Sequence, residues 1–115
     1  MWKVELLHLS NGSCPVYEFI ASLVPDDRER VVKKLAQIEE HGPNLGKDYV
    51  KHISGEIYEF RFHIQAGIVR FFFFCEANHI IMITNGFQKK TMKTPAKEIE
   101  LAKKYYRDYL SQRKS

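Results

Sequence analysis

Hydrophobic and polar residues alternate most cleanly between Glu56 and His63, where Tyr58, Phe60 and Phe62 fall on one face of a strand and Glu59, Arg61 and His63 on the other. The next run, Ile68–Cys75, is apolar at every position except Arg70, the pattern of a strand covered on both faces. Gln65-Ala66-Gly67 reads as the turn between the two. A further strand, His79–Phe87, follows a turn at Glu76–Asn78, and Tyr49–Ile53 precedes the set, ending in a tight turn at Ser54-Gly55. Trp2–Leu9 has few breakers and reads as a first strand, closed by Ser10-Asn11-Gly12.

Helical spacing takes over elsewhere. Cys14–Leu23 reads as a short helix, with Ser13 offering an N-cap and Pro15 in its first turn. Val24-Pro25 breaks it, and a second helix runs from about Pro25 to His41, with Val31, Val32, Leu35 and Ile38 at helical spacing. Asp26, Asp27 and Glu29 lie near its N-terminus, where the macrodipole favours anions, and Gly42-Pro43 stops it. Thr94 as N-cap and Pro95 at the first position open a third helix, which runs to about Leu110 with a frayed tail at Ser111–Ser115. Its apolar face is Ile99, Ala102, Tyr106 and Tyr109. Two helices, a set of short strands and a final helix predict an α+β domain over residues 1–115. A small antiparallel sheet of four or five strands carries the N-terminal helical hairpin on one face.

The turn over Ile64–Gly67 sets Phe62 opposite Val69, Phe60 opposite Phe71 and Arg61 opposite Arg70. The first two pairs build an apolar face for the helices. The third sets two like charges side by side, with His63 next to them. Like charges directly opposite one another cost about 0.2–1 kcal/mol at an exposed site. A phosphate between two planar guanidinium forks removes that cost. The alternative is that Glu59 neutralises one arginine and the other faces solvent.

Charge distribution sharpens this picture. The net charge is +4, but residues 1–60 hold 7 Lys/Arg against 10 Asp/Glu, while residues 61–115 hold 11 against 4. A basic second half fits a polyanionic partner such as RNA or DNA, or a solvated basic face. Part of the excess is concentrated in Asn85-Gly86-Phe87-Gln88-Lys89-Lys90-Thr91-Met92-Lys93-Thr94-Pro95. There, a strand end, an aromatic ring and three lysines precede a helix start. Lysines focus positive potential, hydroxyls bond phosphate oxygens and Phe87 offers a ring for a base, although a solvated loop would read the same way.

Other chemistries find little support. His8, His41, His52, His63 and His79 include no helical i, i+4 pair and are joined by no carboxylate cluster, so no metal site is expected. His63 alone is placed near a charged neighbour, where it could act as an acid or base. Cys14 and Cys75 are too few for a disulfide scaffold and read as reduced cytosolic thiols. No targeting segment is apparent, and the longest apolar run, Phe71–Cys75, is far too short to span a bilayer. Tyr105, Tyr106 and Tyr109 read as packing residues.

Three motifs taken in order resemble the RelE superfamily of type II toxin–antitoxin toxins, most closely its phage-derived, HigB-like branch. Ile57-Tyr58-Glu59-Phe60-Arg61 is similar to that branch's strand ending in Glu-Leu-Arg. Val69-Arg70-Phe71-Phe72-Phe73-Phe74 is similar to its Tyr-Arg-aliphatic-aromatic strand. Asn85–Pro95 is similar to its Gly-Phe-x-Lys-Lys-Thr-x-Lys-Thr-Pro signature, the most specific of the three. Phe60 stands where a leucine is usual, and Ile68-Val69 where an aromatic commonly precedes the arginine. Glu56 and Tyr58 occupy a strand where other RelE branches place lysines, which leaves the general base open.

The resemblance implies a RelE-like fold and a cytoplasmic, metal-independent endoribonuclease that needs no cofactor. It would cut mRNA, in association with the ribosome, and arrest translation and growth. Arg61, Arg70, Lys89 and Lys90 would be its catalytic residues, and Phe87, Thr91, Lys93 and His63 would contact RNA. The implied partners are mRNA, the ribosome and a helix-turn-helix antitoxin through which alone the chain meets operon DNA; no membrane is involved. A non-catalytic RNA- or ribosome-binding module, or a phage-derived protein docking an acidic protein, would use the same face.

Overall fold

The computed structural model describes residues 2–77, 79–89 and 95–113. Its elements are β1 (Lys3–Leu6), α1 (Pro15–Ala21), α2 (Pro25–His41), a 3-10 turn (Gly42–Leu45), β2 (Val50–Ser54), β3 (Ile57–Ile64), β4 (Gly67–Glu76), β5 (Ile80–Lys89) and α3 (Ala96–Arg113). The five strands form one sheet in the order β1-β5-β4-β3-β2. The α+β expectation holds, with one difference in direction. β2 through β5 form an antiparallel meander, but β1 adds to its edge in parallel with β5, Lys3 opposite Ile80 and Leu6 opposite Ile83.

Local chemistry explains the helix positions. Prolines occupy the first positions of α1 and α2, where the missing N–H costs nothing. Asp26 and Asp27 lie in the first turn of α2, and Gly42, at φ 62°, ends it. A side chain at Gly42 would overlap the Trp2 indole, so this close approach also requires glycine. Ser13 does not cap α1; Cys14 takes that position, and the Ser13 amide and hydroxyl instead donate to Asn11 Oδ1 at 2.9 and 2.8 Å. Val32, assigned from spacing to the apolar face of α2, is 55% exposed, whereas Val31 and Ile38 are fully buried. The tail expected to fray from Ser111 is helical to Arg113, whose Nη1 lies 2.7 Å from Glu76 Oε2.

The sheet separates two cores. Under α1 and α2, Val16, Ile20, Val31 and Ile38 pack on Phe60, Phe62, Val69 and Phe71. On the opposite face Phe72, Phe74 and Met82 pack against α3 through Ala102, Ile99 and the three tyrosines. Tyr106 and Tyr109 lie 4.6 and 5.2 Å, centroid to centroid, from Phe74, as packing residues should. Burial raises the phenol pKa of all three, with nearby carboxylates adding to it.

One tie joins the helical layer to the β3–β4 turn. Asp27 is 1% exposed, and its carboxylate accepts from the amides of Gln65 and Ala66 at 2.8 and 3.2 Å. That turn sets the register on which the candidate site depends. Among the described residues, no helix is long and apolar enough to cross a membrane.

Candidate functional site

β3 and β4 pair as the alternation requires: Phe60 with Phe71, Arg61 with Arg70 and Phe62 with Val69. On the far side of β4, Arg70 pairs with Phe87 of β5. Arg61, Arg70 and Phe87 thus form one row across the α3 side of the sheet. Two residues along, His63, Ile68 and Lys89 form the next row, and in the other direction Glu59, Phe72 and Asn85 form a third. The two-residue period of a strand points all three rows to the same face.

The arginines do not simply repel. Glu59, two residues before Arg61 on the same strand face, is fully buried and serves both. Its carboxylate lies 3.3 Å from Arg61 Nε and 3.4 Å from Arg70 Nη1. A buried carboxylate and a buried guanidinium are tolerated only when they compensate each other. Glu59 thus joins both arginines in one ion-pair cluster.

Exposure separates the two guanidiniums. The Arg70 side chain is 0% exposed and that of Arg61 is 19% exposed. Glu59 takes Arg61 from its Nε side. Arg61 keeps part of its side chain at the surface, whereas Arg70 does not. The alternative read from sequence, in which Glu59 neutralises one arginine only, is replaced by a carboxylate shared between both.

The remaining expected site residues divide into three groups. His63 and Lys89 are exposed and flank Ile68, in the row next to Arg61. Phe87 is half-buried, its ring edge-on to Phe72 at 5.4 Å, so the second core holds part of it. Lys90, Thr91 and Lys93 lie outside the described residues, as does Thr94, expected to cap α3.

Both stems of that basic stretch are described, and a network unseen in the sequence reading joins them. β5 carries a bulge opposite Phe72/Phe73, at Thr84. The buried Thr84 hydroxyl lies 2.6 Å from Asn85 Oδ1 and 3.2 Å from the Phe72 carbonyl oxygen. Asn85, 2% exposed, donates through Nδ2 to the carbonyl and carboxylate oxygens of Glu98 in the first turn of α3, at 3.4 Å each. The only sequence signal was two polar residues, Thr84-Asn85, closing an apolar strand.

Gly86, inside the most specific motif, also proves to be a packing residue. It pairs with Phe71, and a Cβ there would come within 2.5 Å of that ring.

Among the described residues, no group of three or more His, Cys, Asp or Glu could hold a metal ion. His8, His52 and His79 are dispersed, bonded to the Leu6 carbonyl, bonded to the Gly55 carbonyl and packed on Trp2, respectively.

The arrangement offers one partly exposed guanidinium paired with a buried carboxylate, an exposed imidazole and an exposed ammonium in the next row, and an aromatic ring in the same row. No curated protein matches the chain. A model of one family does, over residues 18–107, and that span includes α1 in part, all of α2 and of β2 to β5, and most of α3. The family's description is Phage derived protein Gp49-like (DUF891), and with most of its length matched the chain belongs to it.

Proposed function

We propose that the chain is the toxin of a type II toxin–antitoxin pair, a metal-independent endoribonuclease that cleaves mRNA at the ribosome. Membership of the phage-derived family supports the reading, together with the resemblance of its three motifs to RelE/HigB toxins. The observation that carries it is the partly exposed guanidinium of Arg61, paired with a buried carboxylate on the sheet face that also carries His63, Phe87 and Lys89. A guanidinium fork matches two phosphate oxygens and stabilises charge that develops on them.

In this reading the ribose 2′-hydroxyl attacks its own 3′-phosphate. A P–O bond to the 2′-oxygen forms as the bond to the 5′-oxygen breaks, leaving a cyclic phosphate and a 5′-hydroxyl. Arg61, backed by Arg70, stabilises the phosphorane charge. Lys89 or Lys90 moves the proton, Phe87 stacks a base, and Thr91, Lys93 and His63 bind the flanking RNA. The chain acts in the cytoplasm, and a helix-turn-helix antitoxin covers the basic face and carries any contact with operon DNA.

Induced expression with and without Arg61→Ala tests this, read by growth and by primer extension on mRNA from translating ribosomes. Growth arrest with discrete new 5′ ends, lost in Arg61→Ala, is the expected outcome. A wild-type chain that binds RNA at low salt and leaves it intact selects the non-catalytic module instead. An Arg61→Ala variant as toxic as wild type refutes the assignment of the site.

A further inference from the structure

The rows of the site face do not stop at β3. β2 pairs with it at Val50 opposite Phe60, Lys51 opposite Glu59 and His52 opposite Tyr58. Directly opposed residues share a sheet face, so Lys51 extends the row of Glu59, Phe72 and Asn85 by one strand, on the same face as Arg61. Two residues further on, Ile53 packs into the core beneath α3. Lys51 therefore marks the point where the site face of β2 leaves that core for solvent. Glu59 opposite it is 0% exposed, whereas Lys51 is exposed.

Its place in the sheet gives this lysine a direction. Neighbouring strands lie about 4.8 Å apart and rise about 3.4 Å per residue. Lys51 and Arg61 are one strand and two residues apart in the register, about 8 Å between Cα atoms. Arg61 and Lys89 are two strands and two residues apart, about 12 Å. The three cations lie along one diagonal of the face, with His63 and Phe87 beside it.

We propose that Lys51 holds the phosphate backbone of single-stranded RNA on the β2 side of Arg61, so that the RNA crosses the face diagonally from β2 to β5. This rests on the nucleic-acid reading of the site and adds its far end. A compact ammonium on a flexible stem attracts a phosphate as a point charge, where the planar fork of Arg61 also orients one. β2 is an edge strand, and lysine on an edge also discourages pairing with another chain, a role that binding measurements separate from this one.

The probe is a fluorescent single-stranded 2′-O-methyl RNA oligonucleotide, whose blocked 2′-oxygen isolates binding from cleavage. Affinity is followed by anisotropy across a salt series. One phosphate contact on a single strand contributes about 0.7 to the slope of log affinity against log salt, which is about fivefold in affinity at about 0.1 M salt. Lys51→Gln loses that factor and that part of the slope, with its melting temperature unchanged. Lys33→Gln removes the same charge from an exposed site on α2, across the sheet from Arg61, and keeps the wild-type slope. Lys51→Gln/Lys89→Gln lowers the slope by about 1.4, because the two lysines lie about 20 Å apart and act independently.

A Lys51→Gln protein that binds the probe like wild type, while Arg61→Gln loses affinity, overturns the proposal and leaves the RNA site standing. Self-association of that variant in sedimentation would then assign Lys51 to guarding the edge. Equal losses in Lys51→Gln and Lys33→Gln also overturn it, because the probe would be reading net charge alone. Wild-type protein that fails to bind the probe at low salt rejects the nucleic-acid reading, and the role of Lys51 with it.

Discussion

Arg70→Ala is the substitution that a clamp of two equivalent arginines would put first, as a change in chemistry with no structural cost. The structure argues otherwise. Arg70 and Glu59 are both fully buried and 3.4 Å apart. Removing one partner of such a pair costs about 3–5 kcal/mol, because the other charge stays buried and uncompensated. Arg61 remains 3.3 Å from Glu59 and supplies part of the compensation, which places the loss near the low end, about 3 kcal/mol. Against a total stability of about 5–15 kcal/mol this is a large fraction. For a chain of 115 residues it lowers the melting temperature by roughly 12 °C. Thermal melts and urea titrations of purified Arg70→Ala measure it, with Arg61→Ala as the comparison. Arg61→Ala leaves the Glu59–Arg70 pair in place and removes a partner that is itself partly exposed, so it costs less than Arg70→Ala. An Arg70→Ala protein melting within about 2 °C of wild type would refute the argument, because it would mean that the carboxylate's other partners compensate it fully without Arg70. The consequence for function is direct: loss of growth arrest in Arg70→Ala counts as evidence about the reaction only if the variant is shown to be folded.

Asp27→Ala removes two charge-assisted bonds to the β3–β4 turn and costs about 2–3 kcal/mol in urea unfolding. A change below about 0.5 kcal/mol would mean the turn amides find equivalent partners in water. Gly86→Ala drives a methyl to within 2.6 Å of two Phe71 ring atoms and 3.1 Å of Phe19 Cδ2, and destabilises by about 1–2 kcal/mol despite the better strand propensity of alanine. A more stable Gly86→Ala protein would show that the Phe71 ring yields freely. Tyr105, Tyr106 and Tyr109 have phenol pKa values raised above the ordinary 10.0, first by burial. The fold therefore holds those protons more tightly than the unfolded chain, and the stability they contribute is complete below pH 10 and lost as pH rises through their folded values. Ultraviolet titration of phenolate should show three late-ionising tyrosines that join the early group in denaturant; the same titration curve in both states would contradict it.

The register of β3 against β4 was legible because one strand alternates strictly and the turn between them is short, so a slip of one residue would turn Phe60 and Phe62 to the wrong side. The helices were legible from their prolines and from Gly42. Charge compensation at the site was harder to read. Opposite pairs suggested repulsion, but Glu59 is the diagonal neighbour of Arg70 and the i−2 neighbour of Arg61, and a carboxylate has two oxygens. Counting only directly opposed residues misses such a three-body arrangement. The parallel seat of β1 was illegible for a different reason. Its partner β5 lies more than seventy residues away, and a short apolar strand fits either direction equally well.

The bulge at Thr84 shows most clearly how one local irregularity sets the site. Phe74 faces Met82 on the α3 side of the sheet, and Arg70 faces Phe87 on that same side. Met82 and Phe87 are five residues apart, so strict two-residue alternation cannot put both there. An uninterrupted β5 with Met82 facing α3 would turn Thr84, Gly86 and Gln88 toward the arginines and send Phe87 and Lys89 into the helical layer. The extra residue at Thr84 reverses the parity: Met82 stays in the core beneath α3, and Asn85, Phe87 and Lys89 are brought onto the arginine face. The same step frees Gly86 to face Phe71, where no side chain fits, and directs Asn85 to Glu98 at the start of α3. A buried hydroxyl bonded to the Phe72 carbonyl makes the irregularity a fixed feature of the strand. The strand that closes the second core and the strand that presents an aromatic ring and a lysine beside Arg61 are therefore one strand, and a single inserted residue lets it serve both ends.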